Sequence, residues 1–339
     1  MNSGFGKSRY FLFIIFGAFL MLFSAACGKA KSDKDATEIK KLTALEDQSE
    51  VRLFKTVRPI ELSGYDDNAM EPEISPSGET LFFNNSNATG VHSKLHYATK
   101  KSDCLFQYQG DLKGTFSDTK DLAPAIDETN NFYFTSLREY GKSSLRTLFK
   151  GTFTGEDVTE VHALDGNVAS SIPGWLNMDC DVSADGKLFV YSMARFRAGE
   201  HIPRQSNLII AEIVDGKAVQ NKDSDFYLKR INTEELEYAP AISKGGLELY
   251  FTRATIAQEG QDGSNNLVRI MVATRDSLKE PFSKPRKVAG FGNEKDVVEG
   301  VTTTADGKTL YFHKLVDGVY KIFVATDRVD AGASSEKPH

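Results

Sequence analysis

Thr303-Thr304-Ala305-Asp306-Gly307-Lys308-Thr309-Leu310-Tyr311-Phe312 reads as the end of one strand, a tight turn at Ala305-Asp306-Gly307, and a second strand. The β-branched and aromatic residues of that second strand suit a half-buried pleated surface. Four degraded copies precede it: ISPSGETLFF at 74–83, IDETNNFYF at 126–134, VSADGKLFVY at 182–191 and ISKGGLELYF at 242–251. In four of the five, 9 positions separate the first residue from the closing aromatic; the copy at 126–134 is one residue shorter and lacks the turn glycine. The closing aromatics Phe83, Phe134, Tyr191, Phe251 and Phe312 are spaced by 51, 57, 60 and 61 residues, the length of a four-stranded β-meander with its loops. The spacing predicts an all-β fold, a five-bladed β-propeller of four-stranded antiparallel blades.

Within each blade the first, inner strand is expected to end at Ile74, Ile126, Val182, Ile242 or Thr303, and the second at the closing aromatic. Third strands follow at KLHYAT, LRTLFKGTF, NLIIAEI, NLVRIMVAT and VYKIFVAT, starting at Lys94, Leu145, Asn207, Asn266 and Val319. FSKPRKV at 282–288 reads as the outermost strand of the fourth blade, and the fifth blade has no such strand of its own. VRLFKTVRPIEL at 51–62 has the same pattern of aromatic, proline and aliphatic. It is expected beside 320–326, where an N-terminal strand closes the ring and leaves no open edge.

Composition is that of an ordinary globular chain, with 40% hydrophobic residues and 23 Phe and 12 Tyr to fill blade interfaces. No basic stripe is present, which excludes nucleic acid as a partner. Lys7 and Arg9, an apolar run over 10–23, and Ser24-Ala25-Ala26 before Cys27 have the three parts of an export signal. The small residues before a cysteine resemble the lipobox of bacterial lipoproteins, which implies lipidation of Cys27 and attachment to a membrane of the cell envelope, facing the periplasm or at the outer membrane. Removing Lys7 and Arg9 leaves 39 basic against 47 acidic residues, a net charge of -8. The expected organisation is a signal peptide over 1–26, a charged tether over 27–50, the propeller over 51–327 and a disordered tail over 328–339. Cys104, in a turn before an outer strand of the first blade, and Cys180, at the start of an inner strand of the third, are placed too far apart for a disulfide.

The hairpin motif, Ser-Pro-Ser-Gly or Ser/Thr-Ala-Asp-Gly, is followed by an aliphatic-aromatic strand and then a polar residue or Arg (Phe134-Thr135-Ser136-Leu137-Arg138; Phe251-Thr252-Arg253). Over 51–326 it resembles the TolB-like, WD-related propeller repeat of bacterial envelope proteins. The resemblance implies the fold and little about function, because such repeats serve many roles. TolB itself has six blades and a separate N-terminal α/β domain, and neither is visible here.

Several motifs fail on inspection. Gly141-Lys142-Ser143 lies in a hairpin rather than a strand-to-helix turn, and its first glycine would fall at Ser136. His92 and His96 lie in a loop and a strand, so their spacing of four does not place them on one metal. Asp185-Gly186 and Asp306-Gly307 are adjacent pairs, unlike the sialidase Asp-box, and supply turn geometry. No G-x-S-x-G elbow occurs.

One constellation remains. An acidic residue stands just before each inner strand, Glu71, Asp121, Asp179, Glu237 and Glu299, with Glu73 and Asp181 one or two positions further in. In a propeller these carboxylates line one mouth of the central channel. Because acids recur on every blade and Trp175 is the sole Trp, the expectation is a non-enzymatic binding scaffold whose acidic rim, with no cofactor beyond a bound cation such as calcium, grips an envelope protein or peptide. Long loops at 195–206 and 254–266 suit that grip. The alternative is a carbohydrate-active glycoside hydrolase. Five-bladed xylosidases and arabinofuranosidases place three catalytic carboxylates in such a funnel, and 178–182 (MDCDV) resembles their Asp-Pro motif with Cys180 in the proline position, while Glu71-Pro72 has Glu for Asp.

Overall fold

The five turn motifs close in one way. The computed structural model describes residues 50–88, 91–141, 144–197, 202–256, 266–293 and 296–329. In the last copy the Gly307 N–H donates to the Thr304 carbonyl (2.8 Å) and the Thr309 N–H to the Thr304 hydroxyl (3.2 Å), with Gly307 at φ +66°. Ser75 with Gly78, Ser183 with Gly186 and Ser243 with Gly246 repeat that closure. The copy lacking glycine uses Asn130 at φ +64°, whose N–H donates to the Asp127 carbonyl (3.1 Å). Asparagine visits the left-handed region more readily than other side-chain-bearing residues. Asp127 Oδ1 takes the Asn131 N–H (2.9 Å), the task of the serine hydroxyl elsewhere.

The described chain opens with three short strands, β1 (Glu50–Val51), β2 (Phe54–Pro59) and β3 (Glu61–Ser63). Blade 1 is β4 (Met70–Ile74), β5 (Thr80–Asn84), β6 (Leu95–Ser102) and β7 (Leu105–Asp111); blade 2 is β8 (Asp121–Ile126), β9 (Asn131–Ser136), β10 (Leu148–Phe153) and β11 (Val158–Ala163). Blade 3 is β12 (Trp175–Val182), β13 (Leu188–Arg195), β14 (Gln205–Val214) and β15 (Lys217–Gln220), followed by a short helix, α1 (Ser224–Leu228). Blade 4 is β16 (Leu236–Ile242), β17 (Glu248–Thr255), β18 (Leu267–Thr274) and β19 (Arg286–Val288); blade 5 begins with β20 (Val298–Thr303), β21 (Leu310–Val316) and β22 (Val319–Arg328). Inner strands end where the sequence places them. The second strands run on past the closing aromatic, and Cys180 lies inside β12 rather than at its start. Cys104 and Cys180 are both free thiols.

Alternation along the second strand explains why its residues are apolar on both faces. The closing aromatic packs on the preceding blade and the residue before it on the following one. Phe82 meets Phe132 and Phe134, Tyr133 meets Phe189 and Tyr191, Val190 meets Leu249 and Phe251, and Tyr250 meets Leu310 and Phe312. Tyr311 of blade 5 meets Ile74, Leu81 and Phe83 of blade 1 by the same rule, so packing closes the ring.

The expected closing strand is present: β2 pairs antiparallel with β22, Thr56 opposite Thr326 and Pro59 opposite Phe323. The N-terminal stretch does more than that. β1 pairs parallel with β19 of blade 4, Val51 opposite Val288, and β3 pairs parallel with β7 of blade 1, Leu62 opposite Phe106. Residues 50–63 therefore cross the outer edges of three consecutive blades, on either side of the closure.

Candidate active site

Every inner strand carries a β-bulge. Its register slips between Met70 and Glu73, Leu122 and Ala125, Met178 and Asp181, Tyr238 and Ala241, and Glu299 and Thr302. Each bulge holds one residue in the left-handed region: Glu71 (φ +49°), Ala123 (+47°), Asp179 (+45°), Ala239 (+46°) and Gly300 (+62°). Pro72, Pro124 and Pro240 come next, tolerated because a bulge omits the ladder bond that proline cannot donate. Aligned on the bulge, the acids are not equivalent. Glu71 and Asp179 occupy the left-handed position, Glu299 lies one residue before it, and Asp121 and Glu237 lie two before it. The expectation of an acid just before each inner strand is corrected: all five lie inside those strands, Asp121 at the first residue of β8, and they stand in three registers.

The bulge turns an N–H away from its own sheet towards the preceding blade, and a ring of hydrogen bonds results. Glu71 N–H donates to His313 Nδ1 (3.1 Å), Ala123 N–H to Glu71 Oε2 (3.0 Å) and Asp179 N–H to Thr135 Oγ1 (3.2 Å). Ala239 N–H donates to the Asp179 carboxyl group and Gly300 N–H to Thr252 Oγ1 (3.2 Å). A second layer lies further along the axis. Ile126 N–H donates to Glu73 Oε1 (3.3 Å), Ile242 N–H to Asp181 Oδ2 (2.6 Å) and Ile74 N–H to Thr302 Oγ1 (3.3 Å), whose hydroxyl donates to Glu73 Oε2 (2.7 Å).

These layers line an axial channel. At the end where the inner strands begin, Glu71, Asp179 and Glu299 stand close enough to affect one another's charge. Burial pushes the Glu71 carboxyl up and the Glu299 charge adds to this, against hydrogen bonds from Asn87 Nδ2 (2.6 Å) and Ala123. Asp179 is held well above the usual carboxylate range by burial and then by Glu71 and Glu299. Glu299 Oε2 accepts the Tyr238 hydroxyl (2.6 Å), and its Oε1 lies 3.4 Å from His313 Nε2. Lys120 sits nearby with Nζ on the Ala88 carbonyl (2.7 Å), its ammonium pulled down to about 8 by burial against the opposing pull of Glu71. Glu71 is half-buried and the most accessible of the three acids; Asp179 and Glu299 are buried. Carboxyl groups whose surroundings favour the protonated form, set beside another carboxylate, are the equipment of acid-base hydrolysis.

The other acids do different work. Asp121 pairs with Arg138 (2.8 Å) and accepts the Ser117 hydroxyl (2.8 Å). Glu237 pairs with Arg253 (3.0 Å) and accepts the Thr233 hydroxyl (2.6 Å); burial pushes it up to about 7 even with Arg253 opposing. The Arg that follows the closing aromatic in these two repeats is thus the partner of a buried acid. Among the described residues no three His, Cys, Asp or Glu side chains group to hold a metal ion. Cys27 lies outside the described residues, as do parts of the loops at 195–206 and 254–266. Sequence reasoning passed over His313, Tyr238, Asn87 and Lys120. A signal for the first existed: the residue after each closing aromatic, Asn84, Thr135, Ser192, Thr252 or His313, is polar in a strand that is otherwise apolar there.

No protein-family model and no curated protein matches the sequence. Solved structures are similar to this one. An exo-1,5-α-L-arabinanase from a bovine ruminal metagenomic library has a TM-score of 0.50 at 11% identity, covering 78% of this chain and 95% of that one. The catalytic domain of an α-L-arabinofuranosidase from Coprinopsis cinerea gives 0.45 at 13%, covering 82% and 95%. TolB from Acinetobacter baumannii gives 0.38 at 10%, covering 77% and 55%. The chain is a β-propeller. With glycoside hydrolases among its structural neighbours and the acids standing in three registers instead of one, the expectation of a non-enzymatic scaffold is set aside.

Proposed function

We propose that the chain is a glycoside hydrolase acting at the Glu71, Asp179 and Glu299 end of the axis. One observation carries the reading: three carboxyl groups from three blades meet there, with Glu71 and Asp179 pushed towards their protonated forms. Glu71, the most accessible, gives its proton to the glycosidic oxygen as the bond to the anomeric carbon breaks. Glu299 accepts a proton from the water whose oxygen bonds to that carbon. The Glu299 charge raises Glu71 and so sets the pH at which the donor is loaded, while Asp179, pushed towards its neutral form, adds charge there only once it ionises.

The test is hydrolysis of a panel of aryl glycosides that includes arabinofuranosides and xylosides. Glu71→Gln and Asp179→Asn keep an acceptor oxygen for Ala123 and Ala239, so the ring of hydrogen bonds survives; Glu71→Gln should lower kcat by about 10²–10⁴-fold, while Asp179→Asn, which resembles the protonated acid, should leave the maximal kcat near wild type and change only its pH dependence. A wild-type protein inactive on the whole panel, or a Glu71→Gln variant as active as wild type, sinks the proposal.

The export signal supports an envelope address with the membrane held through Cys27, and the repeat motif supports kinship with TolB-like envelope propellers. Fractionation of Cys27→Ala tests the address: unchanged membrane attachment removes the lipid.

A further inference from the structure

The residue after the closing aromatic has one task in blades 2 and 4, where Thr135 and Thr252 accept the bulge N–H of the next blade. His313 performs that task in blade 5 through Nδ1, which takes the Glu71 N–H at 3.1 Å. A threonine hydroxyl closes the ring twice elsewhere, so the imidazole brings something the fold does not require. That extra feature is Nε2. Because Nδ1 accepts, the ring proton sits on Nε2. This N–H makes no hydrogen bond to any described residue, on a side chain only 1% exposed, and it faces Glu299 Oε1 at 3.4 Å. The other oxygen of Glu299 is taken by Tyr238 (2.6 Å), which leaves Oε1 to share a ligand with His313.

The backbone makes room for this ring. A Cβ on Gly300 would lie 2.6 Å from His313 Nδ1, and blades 2 and 4, which have threonine instead of histidine, carry Ala123 and Ala239 at that position. Tyr320 holds the ring edge-on, centroids 5.4 Å apart.

We infer that His313 Nε2–H and Glu299 Oε1 together hold the water that attacks the anomeric carbon. This rests on the hydrolase reading above. The N–H donates to one lone pair of the water, one water proton points to Oε1, and the other lone pair is left for the carbon. As the new C–O bond forms, the proton passes to Glu299 while His313 keeps its own. His313 is a positioning residue and neither gives nor takes a proton.

His313→Thr separates this role from ring closure, since threonine can accept the Glu71 N–H as it does in blades 2 and 4. The expected result is a melting temperature near that of wild type, kcat lower by about 100-fold and KM within about 2-fold, because an interaction made chiefly in the transition state is lost. A high-resolution crystal structure of the wild-type protein should show a water within ~3.2 Å of both Nε2 and Oε1. Wild-type kcat in His313→Thr overturns the inference, and so does a crystal structure in which Nε2 bonds Glu299 directly with no shared water. If His313→Thr does not fold, His313→Asn and the wild-type water decide. A wild-type protein without hydrolase activity sinks the proposed function, and the water alone then settles whether His313 and Glu299 form a water site.

Discussion

Asp181 and Glu73 show how burial at the axis links charge to stability. Burial pushes Asp181 up to about 7 from an ordinary 3.8, and burial together with the Asp181 charge holds Glu73 well above its usual range. The folded chain therefore binds these protons more tightly than the unfolded chain. Their contribution is complete below pH ~4 and is lost as the pH rises through about 7. Asp111, Asp185, Asp296 and Asp306 are lowered, so their contribution is lost only as the pH falls below the usual carboxylate range. The melting temperature should decline from pH ~4.5 to ~8, and Asp181→Asn, which resembles the protonated acid, should flatten that decline. A wild-type melting temperature that rises over the same interval contradicts this. The pair of Arg253 and Glu237 behaves differently: Arg253→Met strands a buried acid and should cost about 3–5 kcal/mol in urea unfolding, against a much smaller loss in the double variant Arg253→Met with Glu237→Leu. The acids were visible in the sequence, but their roles were not. Their recurrence on every blade suggested one shared role, while backbone conformation sorts them. Tyr238, Glu299 and His313 come from three strands, and no local pattern announces their meeting.

At the level of the hairpin the sequence was easier to read, because the turn has a strict chemical requirement. Each copy needs a left-handed residue and a side-chain acceptor at fixed offsets, and Gly with Ser or Thr supplies both in four copies. The copy without glycine still meets the requirement through Asn130 and Asp127. Asn130→Ala should therefore cost about 1–2 kcal/mol, while Asn130→Gly should be nearly neutral. Equal urea midpoints for the two variants would mean that the turn does not hold this conformation in solution. The bulge was harder to see, although Pro72, Pro124 and Pro240 each stand two residues before the aliphatic that ends an inner strand. A proline inside a strand that must lie at the centre of its blade is a marker of a bulge. Reading the prolines as the register would have put Glu71 and Asp179 together and set Asp121 and Glu237 apart.

For the whole molecule the decisive feature is the closure between blades 5 and 1. Side-chain packing there follows the rule of the other interfaces, but residues 50–63 add main-chain pairing to blades 4, 5 and 1. The sequence foretold one strand of this stretch and not the other two, because strands of two or three residues have too short a pattern to read. Phe54 anchors it: buried beside Phe291 (centroids 6.1 Å apart), which stacks on Phe312 (4.4 Å), while the Val329 N–H donates to the Leu53 carbonyl (2.8 Å). Phe54→Ala should cost about 3–5 kcal/mol, the range for emptying a buried aromatic site. Removing residues up to 63 should do more, since it uncovers the edges of β22, β19 and β7, and exposed edges recruit other chains. Size-exclusion chromatography should show soluble aggregates. Hydrogen exchange, read on the monomer that remains, should rise in β22, β19 and β7 well before β9 to β14, because blades 2 and 3 take no strand from this stretch. Uniform acceleration across all five blades would mean that the ring opens as one cooperative unit and that the N-terminal stretch does not hold a local seam.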